Sequence, residues 1–344
     1  MAFEYEFMGK KVRLELDEDF VAVRFSEPAL HSTRSSVASA SGLGQFHKRI
    51  EIPGEKFTIM PVAQTAESRS VRHASAMKSL QAKNEVKRVA PVFKMGQRTI
   101  VATDRILVGF KYKATKFKNL LKTLGCEIVE VRDKECLIRL PEDACPFDIS
   151  KKLLAMKDVE YAEPDFVTLG RHVSLRAPNP NGNTTGPNPM ATSGDPLLPQ
   201  QYAPKITKAV EAWSLQIGDP SVVIAILDEG VDSNHEDLKS AIVGTYDGVD
   251  DDTFQEPNPW DAHGTACSGL AAGVPNNNTG VRGIGGGCGL MAIRIAYSES
   301  EASGWVTSNS WAVRSIDWAW KNGASVLSNS WGGGAPSTAI ANAF

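Results

Sequence analysis

Alternation of apolar and polar side chains dominates the start of the chain. Val12, Leu14 and Leu16, then Val21, Val23 and Phe25, recur at period two. With Asp17, Glu18 and Asp19 between the halves, the pattern predicts a strand, a turn and a second strand. Residues 26–54 and 64–88 are richer in Ser, Ala and charge and carry little period. A small β-rich region with loose loops is expected over 1–99.

From 100 to 170 the pattern sharpens. RILVGF (105–110) predicts a strand. Phe117, Leu120, Leu121 and Leu124 then fall on one helix face, with Gly125 placed to cap it. EIVEV and CLIRLP predict two strands. FDISKKLLAM predicts a second helix with Asp148 at its N-cap, and VEYAEPDFV a last strand. The order β-α-β-β-α-β is that of a ferredoxin-like fold.

Residues 171–194 lack apolar period and are dense in Pro, Gly and Asn, which marks a linker, open to proteases. Over 195–344 the rhythm becomes that of an α/β domain. KAVEAWSLQI is helical, VVIAIL a continuous β-branched run, and HGTACSGLAAG opens a helix. LMAIRI is a strand, 304–322 a long helix, and ASVLSNS a strand. Strands this apolar, alternating with helices, predict a parallel sheet with helices on both faces.

Composition adds exclusions. Of 344 residues, 42% are hydrophobic and 22% charged, and the net charge of −3 offers no concentrated basic face for nucleic acid or an acidic membrane. No run approaches the ~18 apolar residues of a membrane helix. The five cysteines (Cys126, Cys136, Cys145, Cys267, Cys288) are odd in number and widely spaced, so reduced thiols are expected. The N-terminus lacks the basic start, apolar core and cleavage site of a secretory signal, which favours the cytoplasm over secretion.

In open parallel sheets, functional residues gather beyond the carboxyl ends of the strands. Asp228 ends VVIAIL within ILDEGVDSNHEDL, and His263 stands at a helix start within HGTACSG. An Asp so placed can accept a hydrogen bond from the imidazole, fix its tautomer and favour the imidazolium. The Gly-rich GIGGGCG (283–289) fails phosphate-loop spacing at Cys288, and His235-Glu236 does not open an H-E-x-x-H motif because position 239 is Lys.

The series DEGV, NHEDL, HGT, GVRGI and SNSWGG, in this order over about 150 residues, resembles the subtilisin-like (S8) serine peptidases, and most of all their thermitase-type branch. The resemblance implies a subtilisin-like domain over 195–344, incomplete, preceded by a ferredoxin-like α+β propeptide over 100–170. It makes Asp228 the triad acid and His263 the general base of an endopeptidase acting on polypeptides. Its own propeptide would be bound in the substrate groove. Ser330, Trp331, Gly332 and Gly333 would form one wall of that groove, with Ser303 and Gly304 as the opposite rim. A structural calcium is implied too, held by side chains of Asp195, Asp237 and Asn277 and carbonyls of Val274, Thr279 and Val281.

Two departures are visible. The family usually has Ser or Thr after the triad Asp, and here stands Glu229. Two carboxylates turned inward would raise a carboxyl pKa; Glu229 is expected to point to solvent instead. Cys267, one turn past His263, is expected to be a buried, unactivated thiol. The second departure is that no G-T-S-x-A segment, the family's nucleophile, occurs in the sequence. Loss of the Ser from subtilisin costs about 2 × 10⁶ in rate. A fragment of a zymogen is therefore the first expectation, and a non-catalytic peptide-binding or inhibitor module the alternative.

Overall fold

The alternation at 10–25 folds as one strand. The computed structural model describes residues 3–27, 30–45, 47, 49–171 and 194–344. The linker expected at 171–194 lies almost wholly outside the described residues. Met1–Gly170, Val306–Ser310 and Gly332–Phe344 form one unit, and Arg171–Trp305 with Trp311–Trp331 a second.

The first unit begins with β1 (Phe3–Phe7), β2 (Lys10–Phe25), β3 (Ile50–Ile52), β4 (Phe57–Pro61) and β5 (Val86–Met95). The turn expected inside β2 is absent because its acidic residues find cations: Asp17 is 3.1 Å from Lys94 Nζ and Asp19 2.9 Å from Arg72. Only a register shift between Leu16 and Val21 remains. The segments expected as loose loops carry two helices, α1 (His31–Ala40) and α2 (Arg69–Gln81). Val37, Ala38, Ala76 and Leu80 bury their faces against Val21, Val23 and Phe25. Tertiary packing supplies what the weak local pattern does not.

The unit continues with β6 (Arg98–Phe110), α3 (Lys118–Thr123), β7 (Glu127–Arg132), β8 (Glu135–Arg139), α4 (Pro146–Leu154) and β9 (Val159–Leu169). These strands lie in the order β9-β6-β8-β7 with every neighbouring pair antiparallel. Gly125 takes φ +72 just beyond α3, as a helix end requires. The N-cap of α4 is Cys145 and not Asp148, which sits in the first turn. The boundary expected at 99/100 falls inside β6, and β6 also pairs with β5, so the strands on both sides of that boundary share one sheet. Their cores are distinct: Phe110, Leu121, Ile138 and Leu153 belong to one, Met60, Val62 and Leu80 to another.

Two buried acids of β9 hold later segments of the same unit. Glu163, 1% exposed, accepts the backbone N–H groups of Thr338 at 2.8 Å and Ala339 at 3.2 Å, at the start of helix Thr338–Ala343. Burial raises its pKa. Asp165, fully buried, accepts from Ser308 and Ser310 and from Arg105 Nε at 2.9 Å. Val167, Thr168 and Leu169 pair antiparallel with Ser308, Thr307 and Val306.

In the second unit, two short helices, α5 (Ala203–Ile206) and α6 (Ala209–Ala212), precede β10 (Val223–Asp228), β11 (Ile242–Asp247), α7 (His263–Ala272), β12 (Gly289–Arg294), β13 (Ala296–Ser298), α8 (Asn309–Lys321, in this unit from Trp311 on) and β15 (Val326–Ser328). Strand β14 (Trp305–Ser308) precedes α8, where one long helix from 304 was expected. Strands β11, β12, β10 and β15 form a parallel sheet in that order. Ile226, Leu290 and Ala292 are packed with Leu238 and Ala272 into a core on this sheet.

Candidate active site

Strand β10 runs between β12 and β15, so its end is flanked on both sides and Asp228 emerges there only 4% exposed. Its Oδ1 accepts the N–H of Glu229 at 2.8 Å. His263 is the first residue of α7, with its side chain 43% exposed. The imidazole Nδ1 lies 2.9 Å from Oδ1 and 3.0 Å from Oδ2 of Asp228. A carboxylate accepts only, so Nδ1 carries the proton and Nε2 is left to accept one. The pKa of His263 is raised, chiefly by the hydrogen bond to Asp228, against the opposing effect of burial.

Two glycines permit this approach. A Cβ on Gly264 would lie 2.2 Å from the carbonyl oxygen of Gly230, and Gly230 itself takes φ +93. The loop between is pinned: Gln255 exchanges hydrogen bonds with both backbone groups of Val231, at 2.7 and 2.9 Å, and the Thr265 hydroxyl accepts the N–H of Asp232 at 3.0 Å.

Glu229 does not point to solvent. It is 6% exposed, and its pKa is raised to about 7. Burial is the first cause, and the negative charges of Asp261 and Asp228 add to it.

Cys267 Sγ stands 3.8 and 3.9 Å from the two ring nitrogens of His263. The thiol is partly buried and its pKa is raised by that burial, so its thiolate is not activated. Asp228, His263 and Cys267 offer ligand atoms within 4.8 Å of one another. The carboxylate is already engaged by Nδ1 and by the Glu229 N–H, and the trio is read as a hydrogen-bonded dyad beside a thiol, not as metal ligands.

A second polar cluster gathers Asp195, Asp237 and Asn277. Asp195 and Asp237 are at most 1% exposed. Asp195 Oδ1 accepts the N–H of Asn277 at 3.3 Å, while its Oδ2 is buried with no hydrogen-bond partner among the described residues. Burial pushes the Asp195 pKa up. Asp237 accepts from Asn277 Nδ2 at 2.7 Å and from the N–H of Val281 at 2.8 Å, and its own carbonyl accepts the N–H of Val274. Asn277 Oδ1 accepts the N–H of Thr279 at 2.8 Å. Two buried carboxylates with an orphaned oxygen, amid amide and carbonyl oxygens, fit the chemistry of a hard cation.

Comparison with known proteins decides the relationship. Residues 219–343 match the subtilase family (Peptidase S8). The chain carries a subtilisin-like segment. Thermitase of Thermoactinomyces vulgaris is 38% identical over 143 residues, 41% of this chain and 48% of that protein. A calcium-dependent protease of Trichormus variabilis is 27% identical over 345 residues, 94% of this chain and 48% of that protein. The chain thus spans about half the length of these curated relatives. The crystal structure of fervidolysin from Fervidobacterium pennivorans, described as a keratinolytic enzyme related to subtilisin, aligns with TM-score 0.55 and 23% identity, over 73% of this chain and 38% of that one. At that identity the likeness speaks for a shared mixed α/β fold.

The residues expected to wall a groove in the subtilisin-like segment are divided between the units. Ser303 binds Ser300 through its hydroxyl, Gly304 takes φ +71, and Trp331 Nε1 is buried without a partner among the described residues; these three and Ser330 lie in the second unit. Gly332 and Gly333 belong to the first, where Gly333 takes φ +83. Sequence reasoning missed Gln255, Asp261 and Thr265. Asp261 is 2% exposed and accepts the Ser298 N–H at 2.9 Å. Its place two residues before His263 was the one available signal; Gln255 sits in a stretch without periodicity.

Proposed function

We propose that this chain belongs to a serine-type endopeptidase of the subtilisin family, made as a zymogen, in which Asp228 orients His263 as the general base. The observation that carries the reading is the contact between Nδ1 of His263 and both oxygens of Asp228. Held this way, Nε2 accepts a proton from an attacking hydroxyl, and the carboxylate stabilises the imidazolium that forms. The sequence contains no G-T-S-x-A segment, the form in which the resemblance would supply that hydroxyl. As given, the chain is proposed to be inactive.

The propeptide reading of 100–170 as a ferredoxin-like unit is supported by its element order and by the antiparallel order β9-β6-β8-β7. Within the first unit, Val167–Leu169 pairs with Val306–Ser308, the way an extended peptide is held by backbone bonds. Ser303, Gly304, Ser330, Trp331, Gly332 and Gly333 are proposed as the groove walls. Calcium is proposed as a structural ion, with side chains of Asp195, Asp237 and Asn277 and carbonyls of Val274, Thr279 and Val281 as ligands. It would supply positive charge to two buried carboxylates.

The missing nucleophile segment favours a second reading, a non-catalytic peptide-binding module or propeptide-type inhibitor. The coding DNA downstream of codon 344 separates the two. A frame that continues through G-T-S-x-A, whose whole product cleaves an unfolded protein and loses that cleavage in His263→Ala, bears the enzyme out. Undiminished cleavage by that variant contradicts it. A stop codon after 344, with folded protein that binds extended peptides, favours the binder.

A further inference from the structure

Gln255 is 1% exposed, and both ends of its side-chain amide engage one residue of the loop that follows Asp228. Its Oε1 accepts the N–H of Val231 at 2.7 Å, and its Nε2 donates to the Val231 carbonyl oxygen at 2.9 Å. Val231 is itself fully buried, where each backbone group needs a partner from the protein. The N–H needs an acceptor and the carbonyl a donor, and a neutral amide offers both. A carboxylate would only accept, and a Lys or Arg only donate.

The loop so held lies between Gln255 and the helix that carries the histidine. A Cβ on Gly230 would overlap the backbone carbonyl oxygen of Gln255. On the other side, a Cβ on Gly264 would meet both the Gly230 carbonyl oxygen and Cβ of Asp228. Further on, the Thr265 hydroxyl of α7 accepts the N–H of Asp232 at 3.0 Å. The turn thus spaces the tip of β10 from the start of α7. Across that space His263 Nδ1 stands 2.9 Å from Asp228 Oδ1. Such a contact tolerates little displacement, since a separation of about 3.6 Å is no longer a hydrogen bond.

We propose that Gln255 is a positioning residue for the Asp228–His263 pair: by clasping Val231 it fixes the turn against which α7 starts, and so sets the distance from carboxylate to ring. The inference rests on the protease reading given above and deepens it. The printed bonds of Gln255 reach neither the ring nor the carboxylate, so its effect passes through the turn. Thr265 holds the same loop from the helix side, and loss of Gln255 therefore loosens one side only. Both bonds of the clasp are neutral, and the hold persists through the pH range in which His263 titrates.

The test is NMR of the full chain, isotope-labelled, in the wild type and in Gln255→Met, which keeps the length and loses both bonds. Two sites are read: hydrogen exchange at the Val231 amide, and the low-field Nδ1 proton and ring midpoint of His263. Leu290→Val on β12, a core change four residues from the strand end, is the control for lost stability alone. The proposal expects the Val231 amide of Gln255→Met to exchange about tenfold faster or more. It also expects the low-field proton to be lost and the ring midpoint to fall toward 6.5, while Leu290→Val keeps both. An unchanged Val231 amide or unchanged His263 signals in Gln255→Met overturn the proposal, as does equal loss in Leu290→Val. If Gln255→Met does not fold, Gln255→Asn decides, its amide one methylene short of the span: unchanged His263 signals there overturn it. A wild type without the low-field proton fails the dyad itself. A wild type that has it, beside a Gln255→Met that keeps it, fails only the positioning role.

Discussion

Asp165 holds Ser310 twice, accepting its backbone N–H on Oδ1 at 3.0 Å and its hydroxyl on Oδ2 at 2.8 Å, across 145 residues of sequence. The same carboxylate takes Ser308 Oγ at 2.9 Å and pairs with Arg105, which also reaches the buried Glu55. A charge with every lone pair engaged tolerates full burial.

Removing it should be costly. Asp165→Ala leaves Arg105 with one buried partner fewer and the Ser310 donors with none of their present acceptor. Breaking a buried pair costs about 3–5 kcal/mol. Urea titration of the variant should show a loss of that order; a change below about 1 kcal/mol would contradict the account.

Stability should fall as pH rises through neutrality. The folded-state pKa of His263 is raised above its ordinary value of 6.5, so its contribution is complete below 6.5 and is lost as pH climbs through the folded value. The carboxyl of Glu229 behaves with the same sign. Its folded pKa of about 7 exceeds the unfolded 4.5, so the native state holds the extra proton, and the contribution present below 4.5 disappears as pH rises to and through 7. Denaturant midpoints at pH 5 and pH 8 should differ less in Glu229→Gln than in the wild type. An equal difference in both proteins would refute the assignment.

Calcium should raise the melting temperature of the chain. Binding to the native state alone stabilises by about 2.7 kcal/mol at a hundredfold excess over Kd. The shift should be lost in Asp237→Asn, which removes one of the two buried charges, and in Asp195→Asn. A calcium shift that survives both substitutions would place the ion elsewhere.

What the sequence made legible was the part governed by local pattern. VVIAIL and LMAIRI are continuous apolar runs and became β10 and β12; Asp228 and His263 stand at their ends or beside them in recognisable motifs. What escaped depends on partners far away. Strand β14 was expected as the start of one helix over 304–322, and its extended form is matched to Val167–Leu169. The acidic run Asp17–Asp19 looked like a turn until Lys94 and Arg72 met it. The burial of Glu229 likewise leaves no periodic signal.

The central claim is the contact between residues 228 and 263, and the ring titration of His263 by NMR tests it most directly. The account predicts a midpoint above 6.5 in the wild type that falls in Asp228→Asn, with loss of the low-field Nδ1 proton. A midpoint that is the same in both proteins would contradict it.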